Sequence, residues 1–145
     1  MGNSRPTLLS TLMSKWSKTT RDKSHLSIQK ELRQRGYGVI DLAGVGDDVP
    51  DLFVASRTTA CLAELKESLD SLITVAQIEF IAQWKHNVVI ALSVSDIIEA
   101  MESESFLSPA EKDKMLQIVV RQRATSTDTN PRITVKRLRK LLYET

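Results

Sequence analysis

Three short runs of apolar and β-branched residues, at 37–42, 49–55 and 60–66, follow one another with only turn-forming residues between them. This spacing constrains the chain most, because segments of that length bounded by Gly, Pro, Asp and Ser read as strands. Gly44-Val45-Gly46-Asp47-Asp48 is a turn, and Ser56-Arg57-Thr58-Thr59 is short enough to make the second and third strands a hairpin. Upstream, Leu26, Ile28 and Leu32 predict a helix over 23–35, with Gly36 placed to end it. Downstream, 67–73 reads as a loop, and Thr74 can cap a helix over 75–85 with Gln77 as its capping-box partner. The continuous apolar run at 88–93 is typical of a buried central strand, and Ser95-Asp96 starts a helix carrying Ile97, Ile98 and Met101. The order helix, three strands, helix, strand, helix predicts an α/β fold on a mixed sheet.

The 145 residues suit one domain with short appendages. Residues 1–21 form a basic arm, in which Leu8, Leu9, Leu12, Met13 and Trp16 recur at helical spacing. After Glu104 the character changes. Pro109 opens a helix over 110–123, 124–130 is a polar loop, and 133–143 form a last helix. That helix has Val135, Leu138, Leu141 and Leu142 on one face and Lys136, Arg137, Arg139 and Lys140 mainly on the other. This divides the chain into a basic arm (1–21), a core (22–104) and a basic helical extension (105–145). No internal repeat is evident.

Charge is unevenly spread. Residues 1–35 carry eight Lys/Arg against two acids, 36–110 carry three against twelve, and 111–145 carry nine against four. Basic segments flanking an acidic centre fit a protein that grips a polyanion while its centre holds cations, and fit solvated terminal helices equally well. The single cysteine, Cys61, excludes an internal disulfide and fits a reducing compartment. No apolar run approaches the ~20 residues of a membrane helix. The chain reads as soluble and intracellular, with no membrane partner and no small-molecule cofactor.

Residues two apart on a strand share a face, so Glu64 and Lys66 project together while Leu65 enters the core. Asp51 begins the partner strand, where the hairpin can bring it beside Glu64. Two carboxylates and an ammonium then converge at one end of a sheet. Such a set suits phosphodiester hydrolysis: carboxylates supply hard oxygen ligands to Mg²⁺, and a lysine can orient the attacking water and offset charge on phosphorus. A lone Glu-x-Lys is also a common surface pattern. The preceding Pro50-Asp51 and the following Thr-x-x-Gln helix make the pattern more specific.

These residues carry a resemblance. Residues 45–54, Val-Gly-Asp-Asp-Val-Pro-Asp-Leu-Phe-Val, resemble the V-G-x-G-x-P-D-L-L-V segment of small phage and bacterial nuclease-like proteins. Leu62-Ala63-Glu64-Leu65-Lys66 resembles their L-x-E-V-K, Ile73-Thr74-Val75-Ala76-Gln77 their L-T-x-x-Q, and residues 88–96 their V-x-V-V-x-S-V-E-D. Phe80 and Trp84 also fall where those proteins carry an apolar residue and a Trp. The resemblance spans about residues 22–101 and points to the virus-type replication-repair nuclease and Holliday-junction resolvase branches of the PD-(D/E)xK superfamily. It implies a restriction-endonuclease-like core with a helical C-terminal extension and an Mg²⁺-dependent deoxyribonuclease acting on branched or flapped DNA, with Mn²⁺ as a substitute. The implied setting is DNA replication, recombination or repair in the cytoplasm of a bacterium or phage-infected cell.

The resemblance implies Asp51, Glu64 and Lys66 as the catalytic set, with the Leu65 carbonyl as a further metal ligand. It places Gln77 in a supporting position, compatible with its role in the helix cap. Two departures stand out. Asp48 replaces the second glycine of the family turn, and it either strengthens cation binding or points to solvent. Where many members place an acid or amide on the first helix, this chain offers His25, with Gln29 one turn on; both are expected to face the site, and His25 is a candidate metal contact. His86 is expected in a loop.

Lys23, Arg33, Arg35, Lys136, Arg137, Arg139 and Lys140 are candidate DNA-backbone contacts. Phosphate contacts position without specifying sequence, so structure-selective cutting is expected. A homodimer would match the two symmetric scissile positions of a four-way junction. The competing function is a non-catalytic DNA-binding or assembly protein that keeps the fold. A helical adaptor would leave the central trio unexplained.

Overall fold

The computed structural model describes residues 23–144; the amphipathic segment expected in the arm lies outside them. Helix α1 (Lys23–Gln34) ends as Gly36 requires. Gly36 adopts φ +93°, and the Gly36 and Tyr37 amides return to the carbonyls of Arg33 and Leu32 at 3.0 and 3.1 Å. This pair of bonds closes a helix end when the residue after the cap is left-handed, which glycine adopts at little cost.

Strands β1 (Gly38–Asp41), β2 (Leu52–Ala55), β3 (Ala60–Leu65) and β5 (Val88–Ala91) form one sheet in the order β1-β2-β3-β5. The first three are antiparallel and β5 runs parallel to β3, so the sheet is mixed, as expected. The crossover between β3 and β5 contains helix α2 (Val75–Gln83). Helix α3 (Val94–Ser103) follows β5, capped by the Ser93 hydroxyl.

Five helices flank the sheet. Leu52, Val54, Cys61, Ala63 and Leu65 face Leu32 of α1 with Ile97 and Met101 of α3. On the other side, Leu62 and Val88 face Val75, Ile78 and Ile81 of α2, together with Met115, Ile118 and Val119 of α4 (Pro109–Thr125) and Val135, Leu138 and Leu142 of α5 (Val135–Tyr143). Burying a Leu- or Ile-sized side chain is worth roughly 1.5–3 kcal/mol. Residues 105–145, set apart in the sequence as an extension, thus supply about half of the buried residues on this second side of the sheet. Lys112 pins α4 to the end of α2, donating to the carbonyls of Trp84 and His86. His86 lies exposed between α2 and β5.

Two expectations need correction. Residues 72–73, expected to end a loop, form strand β4 (Leu72–Thr74) together with the capping Thr74, and residues 133–134, expected to begin the last helix, belong to strand β6 (Arg132–Thr134). They pair antiparallel with Ile73 opposite Ile133. The second correction is that a short internal repeat exists. Ile73-Thr74-Val75 and Ile133-Thr134-Val135 are identical, and each leads a strand into a helix capped by its threonine. The two units embrace reciprocally. The Val75 amide donates to Pro131 O at 2.8 Å, and the Val135 amide to Ser71 O at 2.9 Å. The next amide of each helix also crosses over, Ala76 to Asn130 Oδ1 at 3.1 Å and Lys136 to Leu69 O at 2.9 Å. Helix N-termini leave their first amides without intrahelical partners; here each unit satisfies the other's.

No helix among the described residues is long and apolar enough to cross a membrane.

Candidate functional site

The turn before β2 is sharply coiled. Gly46, Asp47 and Asp48 have φ of +82°, +55° and +63°. Left-handed backbone favours glycine, and among other residues aspartate and asparagine tolerate it best; Asp48 therefore stands where glycine would sit without strain. Pro50 follows, fully buried and lacking an amide for a ladder. The chain then enters the sheet at Asp51, whose carbonyl accepts from the Leu42 amide at 2.7 Å.

The register Leu52 to Ala63 brings Asp51 alongside the end of β3. Asp51 Oδ2 accepts the Leu65 amide at 2.8 Å. Glu64 is only 3% exposed. Its Oε2 lies 3.4 Å from Lys66 Nζ and accepts from Gln77 Nε2 at 3.3 Å. Lys66 Nζ also donates to Gln77 Oε1 at 3.3 Å and to the Leu72 carbonyl at 2.8 Å. An ammonium has three hydrogens, and all three have acceptors here.

Gln77 is doubly employed. Its Oε1 accepts the Thr74 amide at 3.0 Å while the Thr74 hydroxyl accepts the Gln77 amide at 3.1 Å, which completes the capping box. The same amide group bridges Glu64 and Lys66. The cap read from the sequence is present, and the same side chain also bonds Glu64 and Lys66.

The electrostatics are unfavourable for two bare carboxylates. Burial foremost, then the charge of Asp51, pushes Glu64 up to about 8, with exposed Asp48 adding to the effect. The neighbouring ammonium of Lys66 does not offset this. Asp51 is also raised, by burial first; the Leu65 amide, His25 and Lys66 oppose the shift, and Asp41 reinforces it.

Two residues of the first helix lie near these carboxylates. His25 lies close enough for its charge to favour ionised Asp51. Gln29, 5% exposed, donates from Nε2 to Asp41 Oδ2 at 2.8 Å. Asp41, on the last residue of β1, also accepts the Ala43 amide at 3.0 Å. This acid was not anticipated, because one aspartate ending a four-residue strand carries no pattern of its own.

The expected basic contacts divide. Lys23 opens α1, and its side chain lies outside the description. Arg33 and Arg35 are exposed at the other end of α1 from His25, where Arg33 donates to Val39 O and Arg35 pairs with Glu31 at 3.0 Å. At ~1.5 Å of rise per residue they stand more than 10 Å along the helix from His25. Lys136, Arg137, Arg139 and Lys140 are exposed on α5, whose first turn is bonded to the 69–71 segment just after Lys66.

Comparison with known proteins gave no match: no family model, no curated protein and no solved structure.

No group of three or more His, Cys, Asp or Glu side chains suited to a metal is found among the described residues. The donor set is smaller. Glu64 Oε1 and Asp51 Oδ1 receive no hydrogen bond among the described residues, although Glu64 is buried. A buried carboxylate oxygen without a partner costs free energy, and a divalent cation shared by both carboxylates would relieve that cost and their repulsion. Mg²⁺ suits two carboxylates because it retains several waters.

A cleft of about 410 Å³ opens one strand away, lined by Ile90, Leu92, Glu111, Leu138, Arg139 and Tyr143 among others, and contains none of Asp51, Glu64, Lys66 or Gln77.

Proposed function

We propose that the chain is an Mg²⁺-dependent endonuclease of DNA, built on a restriction-endonuclease-like core and related to the PD-(D/E)xK nucleases its motifs resemble. The observation that carries this reading is the convergence of Asp51, Glu64 and Lys66 at one sheet end, with Gln77 bonded to both Glu64 and Lys66. The two carboxylate oxygens that receive no hydrogen bond among the described residues, with the Leu65 carbonyl, would hold the ion. When bound, Mg²⁺ polarises a phosphoryl oxygen and acidifies a water.

The chain's own groups do the rest. Gln77 fixes the Glu64 carboxylate by donating to Oε2 and fixes Lys66 by accepting from Nζ. Lys66 keeps a positive charge beside the site, where it offsets negative charge developing on phosphorus. The charge of nearby His25 favours the ionised Asp51 carboxylate that metal binding needs. Lys136, Arg137, Arg139 and Lys140 take DNA-backbone phosphates, on a helix tied to the segment that follows Lys66. Phosphate contacts position without specifying sequence, so DNA structure selects the cut. A homodimer would serve paired cuts at a junction.

The test is incubation with labelled duplex, flap, single-stranded and four-way-junction DNA in Mg²⁺, Mn²⁺ or EDTA. Cutting should require metal and fall at least roughly 10²-fold in Lys66→Ala and Asp51→Ala. Tight binding without cutting in either metal would overturn the nuclease and leave a DNA-binding protein.

A further inference from the structure

We infer that Asn130, far from the catalytic motifs in sequence, is a positioning residue for the Gln77–Lys66–Glu64 array; this rests on the function proposed above. Gln77 is the third residue of α2, so its side chain goes where the first turn of that helix goes. Three amides of that turn are held from outside the helical ladder. Thr74 Oγ1 takes Gln77 N, Pro131 O takes Val75 N at 2.8 Å, and Asn130 Oδ1 takes Ala76 N at 3.1 Å. Asn130 is thus, among the described residues, the one side chain outside α2 and its cap that bonds a backbone amide of this turn. Its own amide is fixed by Asp128 Oδ1 at 3.1 Å.

A second path runs the opposite way and reaches Lys66. The Leu72 carbonyl that accepts from Lys66 Nζ belongs to β4, which is paired with β6, while Val135 and Lys136 hold Ser71 and Leu69. Residues 130–136 therefore fix both the acceptor amide of Gln77 and the backbone acceptor of Lys66. Leu72 is itself 49% exposed and has little packing of its own to hold it. Small displacements of catalytic groups lower turnover steeply, of order 10²-fold for about 1 Å.

The experiment compares Asn130→Ala and Asn130→Asp in the full chain. Asn130→Ala removes the acceptor; Asn130→Asp keeps it and places favourable negative charge at a helix N-terminus. Asn130→Ala should lower kcat roughly tenfold with KM within about twofold, and Asn130→Asp should restore most of it. A kcat in Asn130→Ala equal to wild type, or an Asn130→Asp no better than Asn130→Ala, would overturn the assignment. A readout independent of cleavage separates it from the nuclease proposal. Acetylation of Lys66, followed by mass spectrometry, should be slow in wild type and Asn130→Asp and several-fold faster in Asn130→Ala. If wild type cuts no DNA yet this labelling pattern appears, the nuclease falls and the positioning role stands. Equal labelling in all three proteins overturns the positioning role whether or not DNA is cut.

Discussion

The two strand–helix units, β4–α2 and β6–α5, begin from the same tripeptide, use the same threonine cap and close onto each other with matching hydrogen bonds. They differ at the third helical residue. Gln77 turns toward Glu64 and Lys66, while Arg137 is exposed on a face shared with Lys136, Arg139 and Lys140. The backbone physics is common, so the division of labour comes from side chains alone. One copy holds a buried polar network and the other presents charge to solvent. Each helix N-terminus is completed by residues of the other unit.

Exchanging the third residues attacks this division most directly. Gln77→Arg removes the amide acceptor shared by the Thr74 amide and Lys66 and puts a guanidinium against an ammonium. Cleavage should drop on the order of 10²–10³-fold. Arg137→Gln should leave kcat within about twofold and make the fall of DNA affinity with salt shallower by about 0.9 in the log–log slope, the value of one phosphate contact. Equal losses of turnover in the two variants would mean that both units serve chemistry.

A pH effect should arise at Glu64, the carboxylate that the inward-facing unit contacts through Gln77. Glu64, ordinarily near 4.5, stands at about 8 in the fold. Between these values the native state holds a proton that the unfolded chain has released, so stability falls as pH rises through that window. Unfolding midpoints measured without metal should therefore drop from pH 5 to pH 8, and Mg²⁺ should recover the loss at the upper end, where the ionised carboxylate binds it. Glu64→Gln should flatten the profile and abolish the rescue. A wild-type midpoint that rises across this range would remove the buried-acid account of the site.

The trio was legible because strand periodicity is short and local. Glu64 and Lys66 two apart, and Asp51 beside a proline at a strand entrance, need only one hairpin to meet. His25 and Gln29 were legible through helical register counted back from Gly36. Asp41 was hidden, since only the pairing of β1 with β2 reveals what its carboxylate approaches. The clasp was hidden for a different reason. Strands of three residues, Leu72–Thr74 and Arg132–Thr134, are too short to show alternation, and their pairing spans 60 residues of chain.

The smallest expected effect is the sharpest test of equivalence between the units. Thr74→Ala and Thr134→Ala each remove one side-chain acceptor from the third amide of a nine-residue helix. Each should cost about 1 kcal/mol in denaturant unfolding, because the capping geometry is shared: the bonds are 3.1 and 3.0 Å. Their functional consequences should separate. Gln77 Oε1 still has the residue-74 amide and Lys66 in Thr74→Ala, but the turn carrying Gln77 loosens, so kcat should fall several-fold. Thr134→Ala loosens a turn whose third residue, Arg137, meets solvent and which reaches Lys66 only indirectly, through the Leu69 and Ser71 carbonyls, so kcat should fall less. Stability losses that match while turnover diverges would locate the asymmetry in the side chains at positions 77 and 137. Stability losses differing by more than the ~1 kcal/mol of a cap would mean that the two clasped ends are not mechanically equivalent.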